Sequence, residues 1–154
     1  RGTATHHGCR LLDEERLDWS TVDSEIEPRI RAWEKFRRDW PAEMLACEKP
    51  LGSSTYGFAG TPDRVFSSGG EIVIADLKNS ITPHVRLQLA LYSFLWEEYG
   101  GAAPRKAVAV ELKEDATYSC LWLDRWELKK AAGQARALLT VYQFANEFNL
   151  LRKS

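Results

Sequence analysis

Residues 63–78 read DRVFSSGGEIVIADLK, and the reading of this stretch decides the fold. Two β-prone runs, Asp63 to Ser67 and Glu71 to Lys78, flank Ser68, Gly69 and Gly70, and a glycine pair between such runs is the mark of a two-residue hairpin turn. Counting outward from Gly69 and Gly70 places Asp63 opposite Asp76. Opposed residues on antiparallel strands stand ~5 Å apart at Cβ, and like charges placed there destabilise the pair. Side chains alternate along a strand, so Ile72, Ile74, Asp76 and Lys78 share one face while Leu77 points to the other. The hairpin thus ends in two carboxylates and an ammonium at the tip of a strand, Ile72 to Ala75, that is apolar on both faces.

Two facing carboxylates need a counter-charge. A hard divalent cation supplies one: Mg2+ or Mn2+ typically takes one or two protein carboxylates and completes its shell with water and phosphate oxygens. Held by Asp63 and Asp76, such a cation would polarise a phosphodiester and acidify a water, with Lys78 orienting that water or stabilising charge on the phosphoryl oxygens. The chemistry predicted is hydrolysis of a phosphodiester. An isolated D-x-K is more often a surface Asp76–Lys78 ion pair with Asp63 a turn residue, so its neighbours decide. In the next segment Gln88 and Tyr92 stand four apart and project from one helix face. Among Val85, Leu87, Leu89, Leu91, Phe94 and Leu95 they read either as a core amide with an aromatic filler or as a polar pair aimed at the strand end.

Outward from the hairpin, residues 4–16 look helical, and Ile26, Ile30, Trp33, Phe36 and Trp40 form the stripe of an amphipathic helix ending at Pro41. Met44 to Lys49 and then Tyr56 to Phe58 read as a first strand with an irregular crossing. Thr82 and Pro83 read as the cap and first turn of a helix running to about Tyr99, which Gly100 and Gly101 stop. Lys106 to Leu112 and Thr117 to Leu123 alternate as strands, and Asp124 begins a last helix reaching about Phe148. The order predicts an α/β fold, a mixed central β-sheet flanked by helices.

Composition narrows the function. A length of 154 residues predicts one domain over 1–154, and 44% hydrophobic residues with six Trp predict a packed core. With 21 Lys and Arg against 22 Asp and Glu, a generic polycation is excluded, and an anionic partner must be met by a local patch or a metal. The longest apolar runs fall short of the ~20 residues of a membrane span, so no membrane partner is expected. Cys9, Cys47 and Cys120 show no C-x-x-C spacing, which argues against a zinc or iron-sulfur framework and for reduced thiols in a cytosolic protein. A chain opening at Arg1 without a signal-type segment is expected to have its natural N-terminus upstream.

Gly60-x-x-Asp63, Asp76-x-Lys78 and Gln88-x-x-x-Tyr92, in that order, resemble the G-x-x-D, (D/E)-x-K and Q-x-x-x-Y series of the PD-(D/E)XK nuclease superfamily, above all its RecB-type branch with the phage exonucleases. Gly2-x-x-x-His6 resembles the G-x-x-x-H motif of that branch. The resemblance implies a restriction-endonuclease-like core and a Mg2+- or Mn2+-dependent deoxyribonuclease. It implies an exonuclease or single-strand-directed enzyme acting on single-stranded DNA or DNA ends, in recombination, repair or phage DNA processing, within the cytoplasm of a bacterial or phage-infected cell. Asp63 and Asp76 become metal ligands with the Leu77 carbonyl as a third, Lys78 the catalytic lysine, and His6 a further ligand or a neighbour of the metal. Gln88 and Tyr92 become supports of the site or of the DNA backbone. The acid before Lys78 is Asp where Glu is commoner, and three scattered cysteines cannot build the iron-sulfur cluster of some members. A non-catalytic nucleic-acid-binding module retaining this fold is the alternative.

Three further readings stay open. Glu48 would reach the metal or stand exposed beside Lys49. Arg29, Arg31, Lys35, Arg37 and Arg38, with Arg86 and Lys78, would track a phosphate backbone or merely solvate a helix. Trp19, Trp40, Trp122 and Trp126 would stack on unpaired bases or fill the core.

Overall fold

Two helices precede the sheet, as the apolar spacing predicts. In the computed structural model, which describes residues 2–150, α1 spans Gly2–Asp13 and α2 spans Glu27–Asp39. Arg1, which precedes the Gly2 to His6 motif, lies outside the described residues. Ile30, Trp33 and Phe36 of the predicted stripe are buried, with Ile26 and Trp40 packed at the edge of the same core. The helix gives out at Trp40, which adopts φ −132° and ψ 82°, because the ring of a following proline disfavours the helical conformation in the residue before it.

The chain continues through β1 (Glu43–Cys47), β2 (Leu51–Ser53), β3 (Phe58–Gly60), β4 (Arg64–Ser68), β5 (Glu71–Lys78), α3 (Val85–Glu98), β6 (Lys106–Leu112), β7 (Tyr118–Leu123) and α4 (Arg125–Glu147). Five strands form one sheet in the order β1-β4-β5-β6-β7, parallel only between β5 and β6. The central hairpin has the register read from its turn: Arg64 pairs with Ala75 and Ser68 with Glu71. Gly69 and Gly70 turn at φ +58° and +79°, values a Cβ would obstruct. Ile72 and Ile74 pack with Val85, Leu89 and Leu123 on the α3 side, whereas Val73, Ala75 and Leu77 pack with Trp33 and Phe36 on the α2 side. Burial on both faces is what a central strand of consecutive apolar residues requires. The result is the predicted α/β class, a mixed sheet flanked by helices.

Two local expectations are corrected. Tyr56 to Phe58 does not continue the strand begun at Met44; β2 and β3 form a separate two-stranded ribbon. Its turn is held by Glu98 of α3, whose Oε1 accepts the backbone N–H groups and hydroxyls of Ser54 and Thr55; the Ser53 hydroxyl first, with the bonds from Thr55 and Ser54, holds the Glu98 carboxyl down at about 2. Nor does Thr82 cap α3: the helix starts at Val85 after His84, which makes no side-chain cap bond, and the Thr82 carbonyl accepts from Val85 N–H. Asp124 does start α4, through a reciprocal capping box with Glu127.

Candidate active site

Extending the hairpin ladder one step beyond the Arg64–Ala75 pair brings Asp63 level with Asp76. Both residues are buried, at 8% and 1% exposure, and each end of Asp63 is fixed. Its carbonyl accepts from Glu48 N–H at 2.9 Å and from Arg64 Nη1 at 2.7 Å. Its carboxylate Oδ2 accepts from Leu77 N–H at 2.7 Å. Lys78 Nζ lies 2.7 Å from Asp76 Oδ2. Lys78 is thus the charged partner of this buried oxygen. The strand-end ion pair therefore exists, but around a buried carboxylate rather than on an open surface.

The two acids are electrostatically unequal. Burial pushes the Asp76 carboxyl up to about 7, with the charge of Asp63 adding to the effect and Lys78 opposing it. Burial works against the charge of Asp63 too, but the hydrogen bond and charge of His6 and the Leu77 N–H outweigh it and hold that carboxyl below its ordinary value. His6 enters from α1: its Nε2 donates to the Leu77 carbonyl at 3.1 Å and its Nδ1 lies 3.4 Å from Asp63 Oδ1. The Asp63 contact is the largest influence raising the His6 pKa, against the opposing effect of burial. An open cleft of about 530 Å3 meets this face of Asp63, lined by Gly2, Thr3, His6, His7, Glu48 and Thr61.

On the α3 side Gln88 Nε2 donates to Tyr92 Oη at 2.8 Å. Burial raises the Tyr92 pKa, Gln88 opposes, and the charges of Asp76 and Asp63 add to the rise, so this hydroxyl stands within the field of the acids. Glu48 lines the cleft in a left-handed conformation, φ +45°, 3.7 Å from Arg64 Nη1 and 3.5 Å from Arg10 Nη1. The sequence reading missed Arg64 and Asp13, the latter at the last residue of α1. Asp13 Oδ2 accepts from Arg64 Nε at 2.7 Å, and both side chains are nearly or wholly buried. The signal was an arginine on the strand face that buries Phe66.

A divalent cation fits this chemistry. Asp63, Asp76 and the Leu77 carbonyl supply hard oxygen donors of the kind Mg2+ and Mn2+ prefer, and both acids are buried at one strand end. Among the described residues no three His, Cys, Asp or Glu side chains stand together as a ligand group. His6 spans Asp63 and Leu77.

Residues 9–152 match the PD-(D/E)XK nuclease superfamily. The chain belongs to that superfamily, and its mixed sheet and flanking helices are the restriction-endonuclease-like core. Its class is therefore that of the nucleases, whose members generally use divalent metals. Among solved structures it is similar to SSO0001, with 16% identity over 88% of this chain and 74% of that one at a TM-score of 0.38. It is also similar to the alkaline exonuclease LHK-Exo from Laribacter hongkongensis, with 12% identity over 97% and 85% of the two chains at a TM-score of 0.41. The same exonuclease in complex with dAMP gives 14% identity over 98% and 86% at 0.37. No curated protein matches this chain. Among the described residues no helix is long and apolar enough to cross a membrane.

Proposed function

We propose that this chain is a Mg2+- or Mn2+-dependent deoxyribonuclease of the RecB-type branch, an exonuclease or single-strand-directed enzyme of recombination, repair or phage DNA processing. One observation carries the reading: two buried carboxylates, Asp63 and Asp76, meet at one strand end with Lys78 Nζ 2.7 Å from Asp76. The buried guanidinium nearby, Arg64, is paired with Asp13 instead. The order of the Gly2–His6, Gly60–Asp63, Asp76–Lys78 and Gln88–Tyr92 motifs supports the branch.

Asp63, Asp76 and the Leu77 carbonyl would hold the cation, and such an ion, when bound, supplies Lewis-acid polarisation of the scissile phosphate and acidification of a water. Lys78 stabilises the negative charge that develops on the phosphoryl oxygens, from a position where its ammonium is already fixed beside Asp76. His6 keeps Asp63 ionised and orients the Leu77 carbonyl. Because Tyr92 Oη accepts from Gln88, its own proton is free to be donated to a backbone phosphate.

Digestion of end-labelled single-stranded, linear duplex and circular DNA with added Mg2+ or Mn2+ tests the reading. Wild type cleaves only with metal, and Asp76→Ala does not cleave. Cleavage by Asp76→Ala at the wild-type rate removes Asp76 from the site. Retention of DNA by wild type with no nicking under either metal makes the chain a binding module.

A further inference from the structure

Trp126, in the first turn of α4, is 68% exposed, although tryptophan is highly buried on average. Lys130, one turn on, holds its Nζ 5.5 Å from the indole centroid. A concavity of about 290 Å3 is lined by Arg86, Trp126, Glu127, Lys130, Ala131 and Gln134. A second, of about 540 Å3, shares Arg86 and Gln134 and is walled by Leu87, Leu138, Val141, Pro83 and His84. Together they make one groove between the start of α3 and α4, cationic and aromatic at one end and apolar at the other.

Pro83 and His84, at the apolar end of the groove, belong to the connection that leaves β5 after Lys78. The groove's cationic end is formed by Arg86 and Lys130, with Glu127 3.6 Å from Arg86; Arg125, Lys129 and Arg136 line a different concavity, beside Phe94 and Pro104.

An exposed indole beside ammonium and guanidinium groups, continued by an apolar trough, complements a strand that presents base faces and phosphates together. Single-stranded DNA does so; a duplex hides its base faces in the stack. We propose that the α3–α4 groove binds single-stranded DNA, with a base stacked on Trp126 and the flanking phosphates on Lys130 and Arg86. The proposal rests on the reading that this chain acts on DNA.

Fluorescence anisotropy of a labelled oligothymidylate, in EDTA so that no strand is cut, tests it. Trp126→Ala weakens binding about 5- to 150-fold, the range for loss of one stacked base, and Trp126→Phe restores most of it. Lys130→Glu weakens binding and flattens its salt dependence. Lys35→Glu on α2, the same charge change away from the groove, leaves binding unaltered. Circular dichroism confirms that these surface variants are folded. Unchanged binding by Trp126→Ala and Lys130→Glu, stronger loss from Lys35→Glu, tighter binding of a duplex of equal length, or no binding by wild type overturns the groove. If wild type cleaves DNA with metal while the groove variants bind normally, the groove falls and the nuclease stands. If the groove variants lose binding while wild type cleaves nothing, the groove stands and the nuclease falls.

Discussion

Arg64 Nη1 donates to the backbone carbonyl of Asp63 at 2.7 Å, from a side chain with no exposure to solvent. The guanidinium is balanced by Asp13, 2.7 Å away, and Asp13 in turn accepts from Trp33 Nε1 at 3.1 Å and lies 3.5 Å from Arg37 Nε. Burial raises the Asp13 carboxyl despite these partners. An acid of the candidate site therefore rests on a buried ionic cluster shared by α1, α2 and β4. Such a cluster is weak evidence of net stability, but taking away one member leaves an uncompensated buried charge.

Asp13→Ala should accordingly cost about 3–5 kcal/mol, read by urea unfolding. Trp33→Phe removes one donor to a charged group, about 1.5–3 kcal/mol, and also shrinks a wholly buried ring stacked on Phe36, which adds a cavity cost. A larger loss from Trp33→Phe than from Asp13→Ala would show that ring packing, not charge balance, dominates the cluster.

The turn that sets Asp63 against Asp76 has its own cost. Gly70 sits at φ +79° with open space where a Cβ would lie, so Gly70→Ala meets no clash and tests the backbone alone. The left-handed conformation penalises a side chain by about 1–2 kcal/mol, so the unfolding free energy should fall by that amount, seen as a lower urea midpoint at unchanged slope.

The parts of this architecture that were legible are those with local signals. Glu71–Lys78 and Lys106–Leu112 were read to the residue because apolar runs end at glycines, a proline or charges, and the hairpin register followed from two glycines. The β2–β3 ribbon was missed because three-residue strands leave no periodicity. Asp13 and Arg64, 51 positions apart, meet only through the packing of α1 on the sheet. His6 and Leu77 are 71 apart, and only the family-like order of motifs linked them. Trp33 and Trp126 show the same limit: a helical stripe marks the first as core, while nothing local distinguishes the second as exposed.

The pH dependence of stability follows from the same site. Asp76 has a folded pKa of about 7 against an ordinary 3.8, so the native state binds the additional proton between those values. Its stabilisation is complete below pH ~4 and is lost as pH rises through ~7. His6, raised above 6.5, likewise stabilises at low pH and loses that contribution as pH climbs through its folded value. Asp63, lowered, acts oppositely and loses its contribution only as pH falls below the ordinary carboxylate range. Melting temperatures in EDTA should therefore decline from pH 5 to pH 8, as the unfolding free energy falls by up to about 1.4 kcal/mol per pH unit where one proton is released. On the proposed reading, added Mn2+ flattens the decline. A melting temperature that rises across this range would contradict the assignment of a raised Asp76.

Asp76→Asn separates folding from function most sharply. The amide keeps the shape of the side chain but abolishes the like charge beside Asp63 and the burial of an anion, while Lys78 loses its partner. Lys78 is 27% exposed and can turn to water, whereas Asp76 is 2% exposed at its side chain and cannot. The balance favours the amide: at pH 8 in EDTA the variant should be more stable than wild type by about 1–3 kcal/mol, the advantage vanishing near pH 4. Titration calorimetry should show that the same variant has lost its heat of Mn2+ binding. A variant destabilised at pH 8 would mean that the Lys78 contact outweighs the repulsion, and that the acids tolerate each other without a cation.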